Sequence, residues 1–146
     1  ITRGTKAGHI ARAALESVAY QVADLSSAIQ QDSGIAIHAL RVDGGAARND
    51  TLMQFQADML GIPVVRPAII ETTSLGAAFL AGLAVGFWKN TAEIEGQWKM
   101  EKEFQPRMGR RQVDNLCARW RQALGRAKSW SEHTEVAVSG KEGGTQ

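Results

Sequence analysis

The chain has 146 residues, 44% apolar and 22% charged, with a formal net charge of +2. These values fit an ordinary globular domain with a sizeable core and exclude a globally disordered, collagen-like or coiled-coil chain. A single cysteine, Cys117, excludes an internal disulfide and a four-cysteine zinc site.

The longest apolar run, residues 75–88, has 14 residues and three glycines, short of the ~20 that a membrane span needs. No basic segment followed by an apolar stretch opens the chain, so no secretion signal is visible. With the lone thiol, this points to a reducing cytoplasm. The sequence begins Ile1-Thr2-Arg3-Gly4 without an initiating methionine and enters a helical pattern almost at once, so a segment of a longer polypeptide is expected.

Charge is uneven. Residues 99–128 hold nine Lys/Arg and three Asp/Glu, a balance of +6, and the remainder carries −4. Such a basic segment either contacts an acidic partner or nucleic acid, or is a solvated helix face. Trp120 lies on its apolar stripe rather than interleaved with the charges for stacking. The solvated face is therefore the expectation, with no nucleic-acid partner.

Along the chain, a first helix is expected over residues 6–32. Ile10, Ala14, Val18, Val22, Leu25 and Ile29 step by three or four along one face, with Thr5 as N-cap and Gly34 as stop. Residues 36–42 read as a strand, running into Asp43-Gly44-Gly45. A helix follows over 48–60. Residues 62–67 read as a short edge strand, because Pro63 and Pro67 cannot donate to a central ladder. A helix over 74–86 is rich in Gly and Ala. Glycine costs ~1 kcal/mol in a helix interior, so another backbone or a ligand is expected very close against it. Residues 90–104 read as irregular and 110–131 as a last helix with Val113, Leu116, Cys117, Trp120 and Leu124 inward. Residues after 132 read as a disordered tail. The order is that of an α/β protein, and its two short strands need further strands to make a stable sheet.

The most informative stretch is Val42-Asp43-Gly44-Gly45-Ala46-Ala47-Arg48-Asn49. A strand enters paired glycines and then a helix. Glycine removes side-chain bulk, so a flat ligand can lie against backbone, and the helix start presents free N–H groups and a positive dipole end. Asn49 can offer its amide to a ribose hydroxyl or base edge. Asp43 can orient the loop or reach a phosphate-bound Mg²⁺ through water. The other reading is a tight strand-to-helix turn capped by Asp43. The stretch is neither a P-loop nor Gly-x-Gly-x-x-Gly. His9 and His38 have no metal-ligand partners at suitable spacing. Residues 71–74 read as a helix cap, and no nucleophile or carboxylate pair suggests hydrolysis.

Three stretches together resemble the FGGY carbohydrate kinases, and within them the branch that phosphorylates glycerol. They are His9-Ile10-Ala11-Arg12-Ala13-Ala14-Leu15-Glu16-Ser17-Val18-Ala19-Tyr20, the Leu40 to Asn49 loop with Leu52-Met53-Gln54-Phe55-Gln56-Ala57-Asp58, and Glu71-Thr72-Thr73-Ser74-Leu75-Gly76-Ala77-Ala78 with its continuation to Trp88. The resemblance implies an actin-like (ribonuclease H-like) ATPase fold. It makes residues 1–131 the C-terminal portion of the nucleotide-binding domain and 132–146 a tail. It implies transfer of the γ-phosphoryl of ATP to glycerol with Mg²⁺, giving ADP, and a homo-oligomeric full-length protein. Carried over by motif, Gly45 and Asn49 contact the nucleotide, with Gly44 and Ala46 shaping the pocket. No catalytic residue is assigned here, since the acceptor site and catalytic aspartate of the family lie upstream. Two alternatives stay open: an FGGY kinase acting on a pentulose or gluconate, and a non-catalytic nucleotide-binding or assembly module.

Overall fold

A computed structural model of the chain describes residues 1–128. The expected tail, 132–146, and the expected end of the final helix, 129–131, lie outside the described residues.

Helix α1 (Ala7–Ser33) ends as expected, on Gly34 at φ 69°, whose N–H donates to Gln30 O. It starts differently. Lys6 is the N-cap, its N–H donating to His9 Nδ1 at 3.1 Å, while the Thr5 hydroxyl accepts from Thr2 N at 2.9 Å. The buried face also differs from the expected stripe. Leu15, Ala19, Tyr20 and Ala23 pack on the core, and Ala19 and Ser26 are buried. Ile10, Val18, Leu25 and Ile29 are instead 42–61% exposed. The physical reason is the neighbour: α2 packs directly on α1, on the face that carries Leu15, Ala19 and Tyr20, where Tyr20 meets Phe55 edge-on. The branched stripe is left facing outward.

Among the described residues three strands form one sheet, β1 (Leu40–Arg41), β2 (Val64–Pro67) and β3 (Met100–Phe104), in the order β1-β2-β3. β1 and β2 are parallel, Leu40 opposite Val64; β2 and β3 are antiparallel, Val64 opposite Phe104. The strand expected over 36–42 pairs only at Leu40–Arg41, flanked by Leu40 N to Pro63 O and Val42 N to Val65 O. Pairing runs out at Pro63, which has no N–H to offer. β2 is the central strand, not an edge. Its prolines stand before and at the end of the strand, so Val64, Val65 and Arg66 keep their donors, and the ladder is irregular between Arg66 and Pro67. β3 falls within the stretch expected to be irregular. Its charged residues Glu101, Lys102 and Glu103 are exposed and only Phe104 is buried, so no apolar alternation announces it.

Helix α2 (Asp50–Leu60) carries the core: Leu52, Met53, Phe55 and Met59 are buried against Val64 and Phe104. Near its C-terminal end Asp58, 8% exposed, accepts from Arg107 N at 2.6 Å, Met108 N at 3.2 Å and Gln54 Nε2 at 3.1 Å. That cluster fixes the turn that leads from β3 into the last helix.

Helix α3 (Thr72–Ala84) is the small-residue helix, followed by the short α4 (Thr91–Glu95), also within the stretch expected to be irregular. The backbone or ligand expected close against its glycines is not what they meet: a Cβ at Gly82 would collide with the Trp88 side chain, and a Cβ at Gly76 would meet nothing within 4 Å. Helix α5 (Arg110–Ala127) turns Val113, Leu116 and Cys117 toward the core and stacks Trp120 on Tyr20, with ring centroids 5.1 Å apart. Trp120 Nε1 donates to Asp24 at 2.7 Å, joining α5 to α1. Cys117 is therefore half-buried on a packed face. A thiol reagent should label it far more slowly than a free thiol. Fast stoichiometric labelling of the folded protein would show that α5 is not docked in this register.

Candidate functional site

The chain leaves β1 through Val42-Asp43 and turns at Gly44, whose φ of 74° and ψ of 179° favour glycine. Gly44 N–H donates to Ile70 O at 2.8 Å, tying the turn to the β2–α3 connection. A 3₁₀ turn over Gly45–Arg48 follows, closed by Ala47 N to Gly44 O and Asn49 N to Ala46 O, both 3.1 Å. This corrects the expectation of a helix from residue 48: α2 begins at Asp50. Asn49 is its N-cap rather than a residue inside it, with Oδ1 accepting from Leu52 N at 3.0 Å. With one amide atom committed, the two N–H donors of Nδ2 are what Asn49 retains for a ligand.

Gly45 and Ala46 are exposed, and Gly44 and Asn49 half-buried. A Cβ placed on Gly45 meets nothing within 4 Å, and Gly45 does not share the left-handed conformation of Gly44. The four residues thus sit together on one turn, with open space where a side chain at Gly45 would stand. Asp43 does not cap the turn. The Thr72 hydroxyl donates to Asp43 Oδ2, so Thr72, expected as part of a helix cap, links α3 to the loop; Glu71 is the N-cap and makes no side-chain bond.

A cavity of about 540 Å³ lies beside this region, lined in part by Ile69, Thr72, Leu75, Phe79 and Trp98, with the Arg41 guanidinium 4.5 Å over the Trp98 ring. It shares Thr72 with the loop contacts; Gly45, Ala46 and Asn49 do not line it.

One residue of the site escaped the sequence reading. Arg66 on β2 is 6% exposed and lies beneath the turn. Its Nη1 donates to Ala47 O at 2.7 Å and to Asp50 Oδ1 at 2.8 Å. Its Nε and Nη2 meet the two carboxylate oxygens of Glu101 at 2.9 and 3.2 Å. Lys102 Nζ reaches the other oxygen of Asp50 at 2.5 Å. The available signal was an arginine between Val65 and Pro67 in an apolar strand, since a buried arginine needs partners.

The hydrogen bond from Lys102, then that from Arg66, holds the Asp50 carboxyl below its ordinary value of 3.8. The bond to Asp50 chiefly raises the Arg66 guanidinium, opposed by burial. A carboxyl depressed in the folded state stabilises the fold fully above its unfolded value, and that contribution is lost as pH falls through the folded one. Thermal stability should therefore decline more steeply below pH 3.8 in the native protein than in Asp50→Asn. Superimposable acid limbs would show that the carboxylate contributes nothing.

Among the described residues, no group of three or more His, Cys, Asp and Glu could hold a metal ion, and no helix is long and apolar enough to cross a membrane.

Comparison with known proteins places this geometry in a family. A curated glycerol kinase of Deinococcus radiodurans is 57% identical over 136 residues, 93% of this chain and 27% of that protein. The crystal structure of Plasmodium falciparum glycerol kinase with ADP superposes with a TM-score of 0.75 at 33% identity, covering 86% of this chain and 25% of that one. A ligand-bound xylulose kinase from Lactobacillus acidophilus gives a TM-score of 0.67 at 25% identity, covering 89% and 27%. The chain thus spans about a quarter of the length of the relatives it matches. Its fold is the actin-like ATPase architecture of these kinases, represented by a helix-rich portion with a partial sheet. Residues 1–85 match the C-terminal domain of the FGGY family of carbohydrate kinases, and the chain belongs to that family.

Proposed function

We propose that this chain forms one wall of the ATP site in a cytoplasmic kinase that phosphorylates glycerol to glycerol 3-phosphate. The observation that carries the reading is the open turn at Gly45, set between a strand end and a capped helix, in a chain 57% identical to a glycerol kinase. That identity, against 25% to a xylulose kinase, favours glycerol over a pentulose.

In this reading the adenine nucleotide lies against the backbone of Gly45. Gly44 and Ala46 shape the turn, and Asn49 donates from Nδ2 to the nucleotide. The residues present fit such a ligand, because the space at Gly45 that a Cβ would enter is open. Mg²⁺ usually keeps several waters and takes one or two carboxylates beside substrate phosphates. Asp43, with Oδ2 accepting from Thr72, leaves Oδ1 for a water-mediated contact of that kind. When bound, Mg²⁺ neutralises charge on the transferring phosphoryl group. Phosphoryl transfer rests on positioning, and this chain's contribution is to hold the nucleotide while the acceptor and its base come from other parts of the kinase. The outward stripe of Ile10, Val18, Leu25 and Ile29 is a surface of the sort that further kinase polypeptide or a homo-oligomer buries.

The test is a chimera in which this chain replaces the matching 136 residues of the Deinococcus radiodurans glycerol kinase. The chimera should form glycerol 3-phosphate from ATP and glycerol, and the chain by itself should not. A folded chimera that still binds glycerol but has lost ATP binding and turnover, or turnover by the isolated chain, would overturn the assignment.

A further inference from the structure

We infer that Arg66 is a positioning residue of the nucleotide site, acting through the Gly45–Arg48 turn; this rests on the nucleotide reading above. The turn is intrinsically loose. Two consecutive glycines give it a large unfolded freedom, and Gly44 N to Ile70 O is the hydrogen bond that ties its entrance to the rest of the fold. Arg66 supplies the rigidity at the other end. A single nitrogen, Nη1, is shared between the carbonyl of Ala47, inside the turn, and the carboxylate of Asp50, the first residue of α2. The turn and the helix start are thereby held at a fixed separation, with Asn49 between them.

The plane of the guanidinium is set from behind. Glu101 on β3 takes Nε and Nη2 with its two oxygens, a fork-to-fork pairing that a lysine cannot reproduce. Phe104 lies under the same group, its ring centroid 5.5 Å from the guanidinium carbon. Rotation of the turn would break the buried bond from Arg66 to Ala47 O and leave a guanidinium that is 6% exposed short of a partner, which is costly, whereas the Asp50 and Glu101 carboxylates are half exposed. The consequence for function is that the angle at which Gly45 and Asn49 face a nucleotide is set by a residue that never touches it.

The test uses the chimera described above, with Arg66→Lys, Arg66→Met, Glu101→Gln and, as the report on the nucleotide reading itself, Gly45→Val. Arg66→Lys keeps the charge and loses the fork. We expect its KM for ATP to rise roughly 10-fold or more, with Glu101→Gln milder at about 3-fold. The KM for glycerol should stay within about twofold in both. Arg66→Lys should recover melting temperature relative to Arg66→Met while leaving ATP affinity poor. If Gly45→Val weakens ATP binding but Arg66→Lys and Glu101→Gln lower only the melting temperature, Arg66 is structural and the inference fails while the nucleotide reading stands. If Gly45→Val leaves the KM for ATP unchanged, the nucleotide reading fails and takes this inference with it. Should Arg66→Met not fold, Arg66→Lys and Glu101→Gln decide the matter.

Discussion

Replacing Gly45 by valine should raise the KM for ATP by roughly 10-fold or more in the chimeric kinase, while the KM for glycerol stays near its starting value. The geometry makes this substitution unusually clean. A Cβ at Gly45 meets nothing within 4 Å, and the residue is not in the left-handed region. Valine there should cost the fold little, so lost nucleotide affinity would report an occupied space rather than a damaged turn. Gly44→Val is the contrasting variant. Its φ of 74° strains any β-branched residue, and its effect should be a lower melting temperature first. A structural turn with no ligand predicts the reverse for Gly45→Val: unchanged ATP affinity in whatever remains folded.

Asn49 needs a different design, because it holds the N-cap of α2. Asn49→Ala removes both the cap and the amide, and a lost cap costs about 0.5–2 kcal/mol of stability. Asn49→Ser keeps a capping oxygen and loses the N–H donors. If Nδ2 serves the nucleotide, serine should weaken ATP binding roughly 2- to 12-fold, the range of one neutral hydrogen bond, at nearly unchanged melting temperature.

The parts of this molecule that were legible in the sequence are those where a local rule acts alone. Gly34 and Gly61 stop helices because the left-handed conformation suits glycine, and both sit there at φ 69°. The α5 stripe of Val113, Leu116, Cys117 and Trp120 faces inward because a single-sided helix has one apolar face to bury. The Gly44-Gly45 turn was visible for the same reason. What was not legible depends on a partner distant in sequence. On α1 two apolar faces compete, and only the position of α2 selects Leu15, Ala19, Tyr20 and Ala23 over Ile10, Val18, Leu25 and Ile29. β3 exists because β2 offers it a ladder and Phe104 an anchor, not because Glu101-Lys102-Glu103 favours a strand. Arg66 could be read as an oddity in an apolar strand, but its partners Ala47, Asp50 and Glu101 lie 16 to 35 residues away. The contacts that support the turn are thus tertiary, whereas the turn itself is local.

Phe104→Ala should be among the most destabilising single changes in the described fold, at about 3–5 kcal/mol. Phe104 is 4% exposed and stands opposite Val64, which is fully buried on the central strand. Its ring also lies 4.9 Å from Lys102 Nζ, so it supports the two cations that hold Asp50. Truncation removes the one apolar anchor of a strand whose other side chains are exposed. Against a typical domain stability of ~5–15 kcal/mol, that loss should free β3 or unfold the domain. Glu103→Ala, one residue earlier and exposed, should change stability by no more than about 0.5 kcal/mol. Urea denaturation of the two variants in the chimera separates the effects. Equal midpoints for Phe104→Ala and Glu103→Ala would mean that β3 is not paired in this register. With it would go Glu101's hold on Arg66, since a shift of one residue carries that carboxylate to the opposite face of the sheet.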